Sequence, residues 1–294
     1  MLSIIIGILE EGFVYAILAL GVYITYKILD FPDLSVDGTF PLGGAVTAEL
    51  IIAGVNPILT LFISFFVGAL AGILTGLIHV KLKVRDLLSG IIMMTALYSI
   101  NLRIADANVP IFSKESIFEN KVLDNLIPKG IQPYLVLIIL FLIVIVMKLL
   151  LDLYLRTKSG YLLRAVGDNA TLVTSLAKDK GMVKIVGLAI ANAFVALAGS
   201  IYAQKSGFFE ISTGTGAIVI GLASVIIGTN LFRRMHFVKA TTAVIAGAVI
   251  YKACVALAIS LGMETSDMKL VTAILFLIIL VISGDRKRRV KSNA

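Results

Sequence analysis

Long apolar blocks separated by short polar stretches fill this chain. Read in turn, they place helices over residues 9–27, 39–55, 57–80, 87–103, 132–153, 183–204, 213–230, 238–260 and 268–284. Several blocks reach the ~20 apolar residues that a helix needs to cross hydrocarbon, and the period-two alternation that marks a membrane barrel is absent. The pattern predicts an all-α fold: a polytopic transmembrane helical bundle of about nine spans, forming one membrane domain over 1–294.

One polar stretch is unlike the others. In ILDFPDLSVDGTFPLGGAV, residues 28–46, Pro32 and Pro41 withhold backbone donors while Gly38, Gly43 and Gly44 weaken a helix, so residues 30–41 are predicted to be irregular. Backbone of that kind is tolerated at membrane depth only inside protein or beside water. A second stretch, FFEISTGTG, aligns with the first without gaps: Phe31 with Phe208, Asp33 with Glu210, Leu34 with Ile211, Ser35 with Ser212 and Gly44 with Gly221. Upstream, Ala16, Ala19, Leu20 and Ile24 fall on Ala193, Ala196, Leu197 and Ile201. The units are offset by an odd number of spans, which makes the repeat inverted, and broken elements at matching positions point to a solute pathway. Chance agreement between two apolar helices followed by polar turns is the alternative.

These stretches supply the candidate pathway residues: Ser35, Asp37, Gly38, Thr39 and Phe40 in the first, Ser212, Thr213 and Thr215 in the second. Ser35, Asp37 and Thr39 also suit capping of the span that starts near Phe40, because a short oxygen side chain accepts free amides there. Asp33 and Glu210 are expected to bond nearby amides, with Pro32 and Pro41 shaping the break; an ordinary solvated loop with a cap is the plainer reading. Met93 and Met94 fit an adaptable apolar wall or simple core. Glu49 is costly in hydrocarbon and is expected to bond a neighbouring helix, a cation site being the alternative. Gly68, Gly72 and Gly76, spaced every fourth residue, predict a close helix contact.

Composition sharpens the class. The chain is 59% hydrophobic and 15% charged, well outside the balance of a soluble domain. Its net charge of +8 does not imply nucleic acid, because the basic residues sit in short loops between spans. Lys81, Lys83 and Arg85, then Arg156 to Lys184, then Arg233, Arg234 and Lys239, and finally a basic tail at 285–294 mark the cytoplasmic side. The connection from Ile104 to Ile131 and the turn with Glu264 and Asp267 are acidic enough to lie outside. Alternation, closed by the repeat, then puts the amino terminus outside and the carboxyl terminus in the cytoplasm. The start MLSIIIGI lacks a basic region and a cleavage site, so it is expected to stay in the mature chain. Cys254 alone supports neither a disulfide framework nor a thiolate metal site and is expected to pack within its helix. No metal site is expected; His79 and His236 fall at cytoplasmic helix ends, where contact with solvent or headgroups is expected. With no G-x-x-x-x-G-K-[ST] loop, the chain is not expected to bind or hydrolyse ATP, and no cofactor is predicted.

The longest cytoplasmic segment is 154–184. GYLLRAVGDN forms a short amphipathic helix, and Asp168 or Asn169 is placed to cap a second helix holding Leu172 and Leu176 before Gly181 ends it. Its apolar faces are covered either by the membrane domain or by a groove on a partner.

Three blocks resemble the membrane permeases of ABC importers of the branched-chain amino acid type: GFVYAILALGVYITYKILDFPDLSVDGTFPLGGAV, SGYLLRAVGDNATLVTSLAKDKGMVKIVGLAIANAFVALAGSIYAQKSGFF and GLASVIIGT. The break departs from the Asn-Phe-Ala-His-Gly run usual in that group and looks closer to a related SVDGTFPLG branch. The resemblance implies a single permease domain in the bacterial cytoplasmic membrane, moving a small neutral or zwitterionic solute such as an amino acid by alternating access. It implies three partners: a cytoplasmic ATP-binding subunit, an extracytoplasmic solute-binding protein and a second permease copy. By the same resemblance Leu163, Arg164, Ala165, Val166, Gly167, Asp168 and Asn169 form the segment that couples to the ATPase. An ion-coupled secondary transporter, using Glu49 and the aspartates of the break, is the competing expectation.

Overall fold

The computed structural model describes residues 2–112, 114–120, 132–175, 179–235, 237–262, 267 and 270–281. The basic tail, Leu176, Lys178, His236 and Glu264 lie outside these described residues. Helix α1 (Leu2–Val22) widens into a π turn at Tyr23–Ile28, and α2 (Val36–Ile52), α3 (Pro57–Val80) and α4 (Asp86–Ile104) follow. After β1 (Asn108–Pro110) come α5 (Leu135–Tyr154), α6 (Lys158–Ser175), α7 (Lys180–Ser206), β2 (Phe208–Glu210), α8 (Ala217–Leu231), α9 (Ala240–Ser260) and α10 (Leu270–Val281). Each of the nine expected spans falls on a helix, but among the described residues seven helices, counting adjoining turns, are long and apolar enough to cross a membrane. The exceptions are α2, which starts beyond the break and runs 17 residues, and the short α10.

Lipid gives no hydrophobic drive for helices to associate, so close approach and internal hydrogen bonds must hold such a bundle. Helix α7 provides both. Gly68, Gly72 and Gly76 of α3 lie against it: a Cβ on Gly72 would stand 2.2 Å from the Leu188 carbonyl oxygen, and one on Gly76 2.9 Å from Ile185 Cα. Polar ties reinforce the seam. Thr47 of α2 bonds Ser64 of α3 (2.9 Å) and Ser200 of α7, and Gln204 Nε2 donates to the Pro57 carbonyl (3.1 Å). The outward face of α3 instead carries Phe62, Phe66 and Leu70, exposed at a spacing that keeps them toward lipid.

The repeat has a structural counterpart. Gly44 of α2 sits beside Gly199 of α7, and Gly221 of α8 sits against Val22 of α1; Val22 and Gly199 are equivalent under the same alignment that pairs Gly44 with Gly221. Helices α1 and α7 cross antiparallel, with Gly21 against the Ala191 carbonyl and the Tyr15 ring 6.2 Å from Tyr202. At one end of the bundle β1 and β2 pair antiparallel, Asn108 with Glu210 and Pro110 with Phe208. Gln204 Oε1 accepts from the Ile117 amide at 2.9 Å, which ties the connection after β1 to the same end.

Several expectations change. The irregular stretch ends at Ser35, because α2 takes in Asp37 to Pro41; the Asp37 carbonyl that Pro41 cannot bond lies against Gly214. Cys254 is exposed: the buried face of α9 runs through Val244, Ala248, Tyr251 and Val255, and the cysteine falls outside it. His79 is held by the Val84 carbonyl (2.9 Å) and by Lys184 (3.1 Å), with Phe31 edge-on, because the last turn of α3 meets the start of α7. The side chain of Glu49, three residues from the end of α2, is half-buried and makes no hydrogen bond or ion pair with a described residue, so the expected bond to a neighbouring helix is not formed.

Candidate functional site

The first break begins where the π turn stops. The chain passes Asp30 in the left-handed region (φ 52°), leaves Pro32 exposed and buries Asp33 completely. A buried carboxylate must be satisfied from within. Its Oδ1 accepts from the Ser35 amide (2.9 Å) and hydroxyl (2.6 Å), and Oδ2 accepts from Asn192 Nδ2 of α7 (2.8 Å). The amide oxygen of Asn192 accepts from Thr39 Oγ1 at 2.7 Å. Ser35 therefore serves this network and makes no side-chain cap on α2. The second break repeats the contact, Glu210 accepting from the Ser212 hydroxyl. Asn192→Ala leaves Asp33 and Thr39 short of partners in the core and is expected to cost about 1–3 kcal/mol. A thermal melt of the detergent-solubilised protein measures it.

Asp37 makes a long-range link between the two breaks. Its carboxylate, carried on the first turn of α2, accepts from the amides of Gly216 (Oδ2, 3.0 Å) and Ile218 (Oδ1, 2.8 Å) at the start of α8. The expected cap exists, but it caps the opposite half-helix. Gly216, at φ 86°, lets the chain turn into α8 there, and the positive end of that helix favours the negative charge. The two broken elements thus meet through one side chain.

On one side of the Ile211–Gly216 turn lies a cleft of about 360 Å³, lined by Asp37, Gly38, Met94, Tyr98, Asn101 and Thr215 among others. On the other is a cleft of about 550 Å³, lined by Glu11, Tyr15, Tyr202, Ser212, Thr213 and Lys252 among others, with Thr215 at its edge too. Lys252 binds Glu11 (3.0 Å) and lies 3.9 Å over the Tyr15 ring, which balances its charge inside the bundle.

Among the expected pathway residues, Asp37, Gly38, Thr215 and Met94 therefore come together, while Ser212 and Thr213 face the second cleft. Gly38 is also a packing position, since its Cβ would stand 2.8 Å from Leu97 Cβ. Phe40 is fully buried, stacked on Tyr15 at 6.0 Å, and Met93 is core beside Leu42 and Leu97. Asn101, Asn192 and Tyr98 were not among the expected residues. The signal was an amide alone in an apolar helix, which must find a partner somewhere.

At the far end, α6 runs across the start of the first break. It loses helical geometry at Asn169 (φ −155°, ψ 91°), which divides it near the expected position. Leu163 and Val166 are buried, and a Cβ on Gly167 would stand 1.8 Å from the Ile28 carbonyl oxygen. That face is covered by the chain's own bundle. Arg164, Asp168 and Asn169 are exposed, and Ala165 is half-buried between the two sides.

A family model described as "Branched-chain amino acid transport system / permease component" matches residues 4–283. The chain is 42% identical over 294 residues to the tyrosine transport system permease protein of Clostridioides difficile, covering 100% of this chain and 96% of that protein. It is 32% identical over 283 residues to a protein of Rickettsia prowazekii called RP368, covering 94% and 96%. It is 25% identical over 222 residues to the ribose import permease protein of Escherichia coli K12, covering 76% and 68%. No solved structure matches the chain.

Proposed function

The chain belongs to the permease family of branched-chain amino acid transport systems, and from that premise we propose that it carries an amino acid inward through the clefts at Asp37. It is a multi-pass transport subunit of an ABC importer. The name of the Clostridioides relative, matched end to end, supports an amino acid such as tyrosine as the solute. The observation that carries the reading is the junction of the two broken elements: Asp37, in the first turn of the helix after the first break, holds the amides of Gly216 and Ile218 after the second, and open clefts border that junction.

The proposed orientation puts the α6 end in the cytoplasm, since Lys81, Lys83, Arg85, Arg156, Arg233, Arg234 and Lys239 gather in loops at that end. The sheet end, with Asp106, Glu115, Glu119 and Glu210, then faces the solute-binding protein. A separate ATP-binding subunit docks on Arg164, Asp168 and Asn169, and ATP is bound there and not by this chain. A second permease copy closes the cleft along α4, where Tyr98 is 54% exposed. Movement of α6 reaches the pathway by a short route: Gly167 presses on Ile28, and Leu163 and Leu29 both crowd Gly187, one residue from the start of the break. ATP-driven closure thereby shifts the anchor of residues 30–35 and alternates access.

The test is uptake of labelled tyrosine into proteoliposomes holding permease, ATPase and binding protein. Uptake is expected to require ATP, and the double change Arg164→Glu with Asp168→Lys is expected to reduce co-purified ATPase about ten-fold or more, as loss of several charged contacts does. Uptake by the permease alone under an ion gradient would overturn the reading.

A further inference from the structure

We propose that Asn101 receives the amino group of the transported solute, its Oδ1 accepting a hydrogen bond from a protonated amine in the cleft between α2, α4 and the Ile211–Gly216 turn. The inference rests on the transport reading above and adds to it the chemical group recognised and the residue that recognises it. Asn101 is 0% exposed, three residues before the end of α4. Its Nδ2 donates to the Gly38 carbonyl at 3.0 Å, which fixes the orientation of the amide, because a flip would set two oxygens against each other. The Oδ1 that remains is the one buried side-chain polar atom among the described residues with no hydrogen-bond partner. An acceptor left dry carries an uncompensated desolvation penalty, so an orphan beside a cleft signals a ligand that completes it.

The rest of the wall says what kind of donor fits. Among the described residues lining the cleft none is basic, and its one charged side chain is Asp37. Each Asp37 oxygen takes a single amide and keeps accepting capacity, and the Asp37 carbonyl has no helical donor because Pro41 lacks one. Acceptors without cations select a positively charged donor. Met94, Pro41, Ile211 and Tyr98 supply an apolar and aromatic surface for the body of the solute, the ring of Tyr98 adding attraction for a cation.

The experiment separates acceptor from scaffold. Asn101→Leu removes both roles, whereas Asn101→Asp loses the amide donor to Gly38 but keeps an acceptor. In proteoliposomes holding the whole complex, tyrosine uptake is expected to fall about ten-fold or more in the leucine variant, the size of one lost charge-assisted hydrogen bond, and to fall less in the aspartate variant, which sets an oxygen against the Gly38 carbonyl but keeps an acceptor for the amine. Tyramine, which keeps the amine, is expected to raise the Tm of the detergent-purified permease–ATPase complex, and 3-(4-hydroxyphenyl)propionate, which lacks it, is not. If the leucine variant fails to fold, the aspartate variant and this pair of compounds decide. Equal shifts from both compounds, no shift from tyramine, unchanged uptake in Asn101→Leu, or equal losses in both variants would each overturn the assignment. A wild-type complex that takes up no tyrosine with ATP would instead count against the transport reading.

Discussion

Gly72→Leu is expected to abolish accumulation of folded protein. A Cβ at this position would meet the Leu188 carbonyl oxygen at 2.2 Å and Ala189 Cα at 2.8 Å, both backbone atoms that no rotamer change can move aside. The α3–α7 seam would have to open along its length. Overpacking in ordinary cores costs about 1–3 kcal/mol, and a collision with the backbone of a deeply buried helix exceeds the upper end of that range. Separation would also strain the bonds of Thr47, Ser64, Ser200 and Gln204 that cross between α2, α3 and α7. Gly7→Leu is the control, since nothing lies within 4 Å of a Cβ there. Size-exclusion chromatography of detergent extracts reads the outcome: an aggregated or missing peak for Gly72→Leu and a wild-type peak for Gly7→Leu. A monodisperse Gly72→Leu protein would show that the seam is looser than its geometry implies.

The second large effect belongs to transport. Asp37→Ala strips the amides of Gly216 and Ile218 of their acceptor and unlinks the two broken elements. Hydrogen bonds to a charged group contribute about 1.5–3 kcal/mol each, so losing both is expected to lower ATP-driven uptake by about a hundred-fold. Asp37→Asn keeps one carbonyl acceptor without the charge and is expected to fall between, about ten-fold below wild type. The protein should still insert and fold, because the α3–α7 seam and the Asp33–Asn192 network do not involve Asp37. Wild-type uptake by Asp37→Ala would remove the carboxylate from the pathway.

Local pattern revealed much of this architecture and missed its long-range closures. Each apolar block became a helix, and the glycines of α3 proved to be contact points, because hydrophobicity and small size act at short range. The break was visible but drawn too long. Pro41 ends a helix in water, whereas here Gly214 shelters the carbonyl it leaves unbonded and Asn101 braces Gly38 in the same turn. Asp37 was read as a cap for its own helix, the nearest amides in sequence; its real partners are 179 and 181 residues away. Asn192 and Asn101 were lost inside apolar runs, where a single amide scarcely alters hydropathy yet organises everything polar around it. In α6 the stretch GYLLRAVGDN read as amphipathic, with its apolar face covered by either the bundle or a partner, and only packing could show Gly167 set against Ile28 and Leu29.

The turn at Ile211–Gly216 has a further consequence. Its residues line two hollows of about 360 and 550 Å³, and it is pinned through Asp37. Variants that weaken this carboxylate's grip are expected to leak small ions before they lose their fold, which ion flux from proteoliposomes measures.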